Sequence, residues 1–387
     1  ICPTLLPEDH ESIDAIVAER QSQITDLTQE IKRVQTLCQK LRAVEANLKK
    51  RRSRVEASQR FHRALTSAVR RLSPEILAEI FCHCLPEYPS VPRAKDTPLV
   101  LTRVCQRWRS IAMATPQLWS SLTINLHQAA KADYRLQCDT WLARAKSVPL
   151  VLAVENDFDT SVVDTVVLDW LRGLVARCLE LCWWGYLLEG LLTGSAVIGP
   201  ERLDLGYFHT FLHRPTIDIT CNNLRFVRLL LAAHINPIDR ITLPWAQLIG
   251  LDMDGVKLRS TDIFRLFEIC TRLQSARFSV THEDDLQPEA LIPGSVINRS
   301  LQRLSIAVWG SSGDGTLFDT LVLPSLEELE LWNSRPDAMK WPHTQFTSFL
   351  TRSGRVLRAL NVRGRKPASD HWSEYQALLP SCTFAIL

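Results

Sequence analysis

The sequence predicts an α/β (α+β) chain in three parts, and three observations carry that reading. Apolar residues from Ile13 to Leu48 alternate at steps of three and four, the spacing of a long helix. Between Leu72 and Trp119 two short amphipathic helices follow one another. After Trp119 an apolar-x-apolar triplet returns every 24 to 31 residues, the rhythm of a strand repeated many times.

The first part is assigned to 1–68. Its seam runs Ile13, Val17, Ile24, Leu27, Ile31, Val34, Cys38, Leu41 and Leu48, broken by Arg20 and Glu45, with good helix formers between. That stretch would make about 54 Å of helix. The expectation is a single amphipathic helix folded back on its own chain; the alternative is a coiled coil that makes the protein a homodimer. From Ile31 to Arg71 there are thirteen Lys or Arg and only two acidic residues, so the rest of the chain is net acidic despite an overall +3.

In the second part, 69–119, Ser73 suits an N-cap, Pro74 the first helical turn and Glu75 the positive helix end. Apolar residues at 76, 77, 80, 81, 84 and 85 make two adjacent stripes, and the next helix repeats this at 101, 104, 105, 108, 111 and 112. So short a unit cannot bury such wide stripes against itself, so some of that surface should meet a partner.

This pair of signatures resembles an F-box, the adaptor-binding module of SCF-type ubiquitin ligases. The matching residues are Leu72, Pro74, Glu75, Leu77, Ile80, Phe81, Leu85, Leu99, Leu101, Val104, Cys105 and Trp108, and IAMATPQLWSSL is a further likeness to a large set of fungal F-box proteins. The resemblance implies three helices. It also implies that Leu72, Pro74, Ile76, Leu77, Ile80, Phe81 and Leu85 dock on a Skp-type adaptor. Leu101, Val104, Cys105 and Trp108 would hold the helices together or extend that contact. Ser73 stands where the family often has Pro, and the segment Pro86–Pro98 is longer and richer in proline than a minimal F-box loop.

The third part, 120–387, carries the triplets Leu122/Ile124, Leu150/Leu152, Leu179/Leu181, Leu203/Leu205, Val227/Leu229, Leu251/Met253, Ala276/Phe278, Leu304/Ile306, Leu329/Leu331 and Leu360/Val362. In most later units a leucine precedes the pair by three: Leu224, Leu248, Leu273, Leu301, Leu326 and Leu357. This is a degenerate L-x-x-L-x-L pattern near the period of leucine-rich repeats. In the unit Leu326–Asn333 the asparagine falls one place short of the consensus ladder position. Between strands lie helix-like pieces such as 263–267 and 346–350. No unit buries its apolar face alone, so stacking should give a curved solenoid. Separate hairpins fit poorly, because the strand spacings are too long for tight turns.

Composition narrows the class. With 46% hydrophobic and 22% charged residues the chain is globular, not disordered. No run of eighteen uncharged apolar residues exists, so no membrane partner is expected. The first residue is Ile1, not Met, so the true start is expected to be missing and a targeting segment ahead of it stays open. Eleven scattered cysteines without a C-x-x-C pair suit a reducing compartment, cytosol or nucleus.

In the solenoid reading the residue between the two inward positions faces the concave surface: Glu180, Asp204, Arg228, Asp252, Arg277, Ser305, Glu330 and Asn361. Following outward positions add Cys182, Asp254, Ser279, Trp332 and Arg363. Among these Arg228, Asp252, Arg277, Glu330, Trp332 and Arg363 are the expected contacts to a target protein, because arginine and aromatics dominate interfaces. The run Lys49–Arg54 could be a nuclear localisation signal or a polyanion contact; a solvated helix face is the plainer reading. Cys82-His83-Cys84 and the pair Cys178/Cys182 are poor zinc candidates, since helical neighbours diverge by about 100°. The glycine-rich stretch from Trp309 to Gly315 lacks the order of a phosphate loop. His209, His213 and His234 lie near acidic residues with no catalytic spacing. No metal, cofactor or catalytic residue is therefore expected.

The expected function is a substrate-recognition adaptor of an SCF-type cullin–RING ubiquitin ligase. It would join a Skp-type adaptor and cullin complex to a target protein. The alternative is a leucine-rich-repeat scaffold or polyanion-binding protein that uses its basic N-terminal helix and has no ligase role. Nucleic acid is otherwise an unlikely partner at this net charge, and a solenoid enzyme would need an inward polar constellation that the pattern lacks.

Overall fold

A computed structural model of the chain describes residues 7–89, 91–156, 164–185, 191–192, 199–206, 217–230, 237–239, 241–281, 294–309, 315–333, 341–354, 357–363 and 371–386. The chain divides into two compact units, 1–76 and 77–387.

The first unit is dominated by one α-helix, α1, Pro7–Leu65, of 59 residues. It extends the predicted seam at both ends, because nothing between Leu48 and Leu65 is a helix breaker and glycine and proline are absent there. The expected fold-back is not what is found. From Ile13 at 42% to Leu41 at 60% the seam residues are exposed, and no described segment of this unit covers them. A seam spaced for a partner helix cannot be covered by a single short connector, and among the described residues this unit has no second helix of comparable length. Next come a short 3-10 turn, Ala68–Arg71, and helix α2, Pro74–His83, which carries on into the second unit.

The second unit is mixed α/β around a large parallel sheet. After helix α3, Gln106–Ala114, the large sheet is built from eleven of the described strands: β1 Ser121–Asn125, β2 Leu150–Asn156, β3 Cys178–Gly185, β4 Arg202–Gly206, β5 Phe226–Leu230, β6 Gly250–Leu258, β7 Ser275–Thr281, β8 Arg303–Trp309, β9 Glu328–Asn333, β10 Ala359–Arg363 and β11 Thr383–Ile386. They lie side by side in chain order. Each described pairing is parallel, so every connection must cross back over the sheet. Helices such as Thr165–Val175, Ser260–Ile269 and His343–Arg352 fill some of these crossings. The last two contain the predicted helical pieces.

Register aligns two apolar rows. One runs from Leu122 through Leu152, Leu181, Leu203, Val227 and Leu251 to Phe384; the other runs from Ile124 through Val154, Trp183, Leu205 and Leu229 to Ile386. The described members are buried apart from Phe384. Two predicted pairs are displaced in register: the β2 pair aligned with the rows is Leu152/Val154, with Leu150 buried as well, and the β3 pair is Leu181/Trp183, not Leu179/Leu181. Both strands carry three alternating apolar residues, so either pair satisfies the local pattern and only pairing with β1 and β4 selects one. Leu179 is accordingly exposed.

The leucines three places before the pair are buried as expected, Leu224, Leu248, Leu273 and Leu301 completely. Entry to β5 through β10 is also uniform. Two consecutive N–H groups bond one carbonyl of the preceding unit, as Arg225 and Phe226 bond Glu201 and as Gln302 and Arg303 bond Gln274. Polar bridges fix neighbouring units. The buried Asn298 amide donates to the Phe267 and Cys270 carbonyls and accepts from the Ser300 and Leu301 N–H groups. Gln247 donates to the Cys221 and Leu224 carbonyls.

The first strand is sealed from the N-terminal side. Trp119 is buried, donates to the Ala112 carbonyl at 2.8 Å, meets Trp141 edge to face at 4.8 Å and carries the Arg144 guanidinium over its ring. Trp309 ends β8 and Gly315 begins the helix Gly315–Thr320; the loop residues between them lie outside the described residues, as do His209, His213 and His234.

Candidate functional site

Helix α2 begins as its sequence dictates. The Ser73 hydroxyl accepts from the Ile76 N–H at 3.4 Å, and Glu75 has its carboxyl held below the ordinary value by a backbone hydrogen bond and by Ser73. Its two apolar stripes then part. Leu77 and Phe81 are each 1% exposed, whereas Ile76 is 51% and Ile80 43% exposed, one helical turn apart. Phe81 packs on Trp108, ring centroids 4.8 Å apart, and Leu101 is buried.

Cys105 is an exposed N-cap of α3, its Sγ accepting from the Trp108 N–H at 3.5 Å, and Val104 is 55% exposed. Leu85 and Trp108 are half-buried; so is Leu72, and Pro74 is exposed. The expected contact set thus divides into packing residues (Leu77, Phe81, Leu101) and surface residues (Ile76, Ile80, Val104). Sequence periodicity gave both stripes the same status. In place of a middle helix the described chain between 84 and 105 forms turns and a 3-10 turn, Leu101–Arg103, since the prolines at 86, 89, 92 and 98 leave no room for an uninterrupted helix.

The second candidate surface is the sheet face opposite the apolar rows. Register lines up Cys182, Asp204, Arg228, Asp252, Arg277, Ser305, Glu330 and Asn361 across eight adjacent strands. Glu180 belongs one step lower, beside Arg202 and Val151, the consequence of the β3 displacement.

The charges compensate along the row. Arg228 lies 3.5 Å from Asp252, Arg277 4.0 Å from the same carboxylate, and Glu330 pairs with Arg363 at 3.1 Å and accepts from Ser305. Burial raises the Asp204 carboxyl above its usual range, against the pull of Arg228. Of the outward positions, Trp332 is exposed next to Arg363 across β9 and β10, whereas Cys182 and Ser279 are buried. Asp254 is half-buried and sits in a bulge of β6, where Gly255 has φ +88° and Ser279 bonds the Asp254 carboxylate and the Gly255 N–H.

From Asp204 to Asn361 the side chains of this row line a groove of about 770 Å³. Two features of it are absent from the strand pattern. Glu87 and Tyr88, from the proline-rich segment, lie at the groove, and the Tyr88 side chain hydrogen-bonds Arg228. One row below, Arg202 stacks over Phe226 at 4.2 Å, and Gly250 leaves the space the ring occupies: a Cβ there would come within 2.5 Å of Phe226 Cδ1. A contact between a loop and a strand far along the chain leaves no periodic signal; the Gly beside Phe226 across two strands is the one local sign.

Two clusters of possible ligand atoms exist among the described residues, and the first is not arranged for an ion. The His343 and His371 rings are stacked 3.5 Å apart and nearly parallel, so their in-plane lone pairs cannot converge. Both His343 nitrogens are also engaged, by Tyr375 at 2.7 Å and Glu374 at 3.0 Å. In Glu180/Cys182/Asp204, burial pushes the Cys182 thiol up to about 12. Among the predicted zinc candidates His83 pairs with Glu79, and Cys178 is likewise pushed up to about 12. No nucleophile–base pair of catalytic geometry stands out among the groove residues.

No family model matches the chain, and no curated protein matches it. Among the described residues no helix is long and apolar enough to cross a membrane.

Proposed function

We propose that the protein is a substrate receptor of an SCF-type ubiquitin ligase. In this reading residues 69–119 are an F-box that docks on a Skp-type adaptor. Residues 120–387 are a leucine-rich-repeat-like solenoid whose polar sheet face holds a target protein. The observation that carries the reading is the split of helix α2. Its Leu77 and Phe81 stripe is spent on packing, which leaves Ile76 and Ile80 as an apolar stripe in solvent beside sequence that matches the adaptor-binding motif. An exposed stripe on a capped, well-packed helix suits helix recognition by a partner.

The groove supports the second half of the reading. Compensated charges with Phe226 and Tyr88 among them suit a protein ligand, where aromatic and arginine side chains supply anchoring contacts. The receptor would perform no chemistry itself. It would raise the effective concentration of a target lysine near the conjugating enzyme.

The test is capture of the full chain by a purified Skp-type adaptor. Wild-type protein is retained, and the Ile76→Asp/Ile80→Asp variant is not. If the wild-type chain fails to bind, the proposal falls. These positions replace the Leu77→Asp change that the motif alone would suggest, because a carboxylate at the buried Leu77 would unfold the unit and mimic loss of binding.

A further inference from the structure

Helix α1 leaves an apolar seam in solvent, and its charges specify what covers it. We propose that α1 pairs with the α1 of a second copy of this chain as an antiparallel coiled coil in which Arg20 of each copy faces Glu45 of the other.

The two charged interruptions of the seam fall on its two alternating core positions. In an antiparallel pair a residue of one set meets a residue of the other, so Arg20 and Glu45 are able to face each other. With that pairing the two-fold axis falls between Lys32 and Arg33, both off the seam. The remaining layers are then apolar: Val17 on Leu48, Ile24 on Leu41, Ile31 on Val34, and Leu27 on Cys38. The seam closes where Ile13 meets Arg52, whose long side chain can reach solvent. Sliding the pair by one heptad either way puts Arg20 on Cys38 or on Arg52, so the two charges select one register.

The charge distribution along the helix favours the same orientation. Residues 11–32 carry five carboxylates against Arg20 and Lys32, and residues 33–54 carry eight cations against Glu45. Parallel copies would lay acidic half on acidic half and basic on basic, with Arg20 on Arg20 and Glu45 on Glu45 inside the seam. Antiparallel copies lay acidic on basic throughout. Among the described residues the two core charges have exposed partners on their own helix, Gln23 for Arg20 and Lys49 for Glu45, which hold them weakly.

The area is sufficient. Eight apolar seam residues from each copy, at about 100 Å² apiece, remove on the order of 1,600 Å², the size of a standard stable interface.

The experiment is sedimentation equilibrium of the full chain with three variants. Wild type is a dimer. Arg20→Glu and Glu45→Arg singly weaken dimerisation on the order of tenfold or more, because each creates two like-charge layers. The double exchange restores it. In a parallel dimer the double exchange would do no better than the singles, since Glu would face Glu and Arg face Arg. Orientation is read independently by mild oxidation with peptide mapping. Leu27→Cys gives a covalent dimer linked from position 27 to Cys38. A Cys38–Cys38 link in the wild-type chain, a double variant as weak as the singles, or a wild-type monomer at about 100 μM, well above the dissociation constant such an area supports, overturns the proposal.

Discussion

Truncating the two stripes of helix α2 separately distinguishes packing from partner contact. Ile76 and Ile80 are 51% and 43% exposed, so a partner can still bury about half of each side chain. At about 1.5–3 kcal/mol for a full isoleucine, that half amounts to about 0.75 to 1.5 kcal/mol each. The Ile76→Ala/Ile80→Ala variant should therefore bind a Skp-type adaptor roughly 10- to 150-fold more weakly, at about 1.4 kcal/mol per tenfold. Its unfolding midpoint should stay within about 0.5 kcal/mol of wild type.

Phe81→Ala gives the opposite profile. The side chain is buried against Trp108, so its loss costs about 3–5 kcal/mol of stability. Titration calorimetry with the adaptor and urea unfolding, run on all three proteins, separate the cases. If Ile76→Ala/Ile80→Ala binds as tightly as wild type, or lowers stability as much as Phe81→Ala does, the division of α2 into two stripes is refuted.

Three further outcomes follow from burial and hydrogen bonding elsewhere in the chain. Asn298→Ala leaves the Phe267 and Cys270 carbonyls without a donor and two N–H groups without an acceptor, and should cost about 2–4 kcal/mol in urea unfolding; a loss under about 0.5 kcal/mol would mean that water replaces the amide. Folding raises the Asp204 carboxyl, mainly by burial, so the folded state favours its protonated form and stability falls as pH rises through the raised pKa. Asp204→Asn should thus have a higher urea midpoint than wild type at pH 7, with the gap closing below about pH 4; a gap independent of pH would contradict the sign. With a thiol reagent in native buffer, Cys38, Cys84 and Cys105 should react quickly. Cys138, Cys178, Cys182, Cys221 and Cys270, buried and with thiols pushed up to about 11 or 12, should react only on unfolding, as peptide mapping would report.

Local chemistry and periodicity determined much of this protein. The Ser73 cap, the long helix around Ile13–Leu48, the phase of β4 through β10 and the placement of Asp204, Arg228, Asp252, Arg277, Ser305, Glu330 and Asn361 on one sheet face all follow from rules that act within a turn or along a strand. Helix and strand periods are written into the chain itself, so they can be read before any tertiary contact is known.

Tertiary structure decided what such periods leave degenerate. Leu150, Leu152 and Val154, like Leu179, Leu181 and Trp183, fit two phases equally, and only hydrogen-bonded neighbours chose one. Two stripes of α2 have the same hydropathy, yet Phe81 found Trp108 while Ile80 found solvent. Tyr88 reaches Arg228 although 140 positions separate them, a contact that no local window contains. Side-chain period states which residues share a face. Which face is covered, and by what, depends on packing between segments remote in sequence.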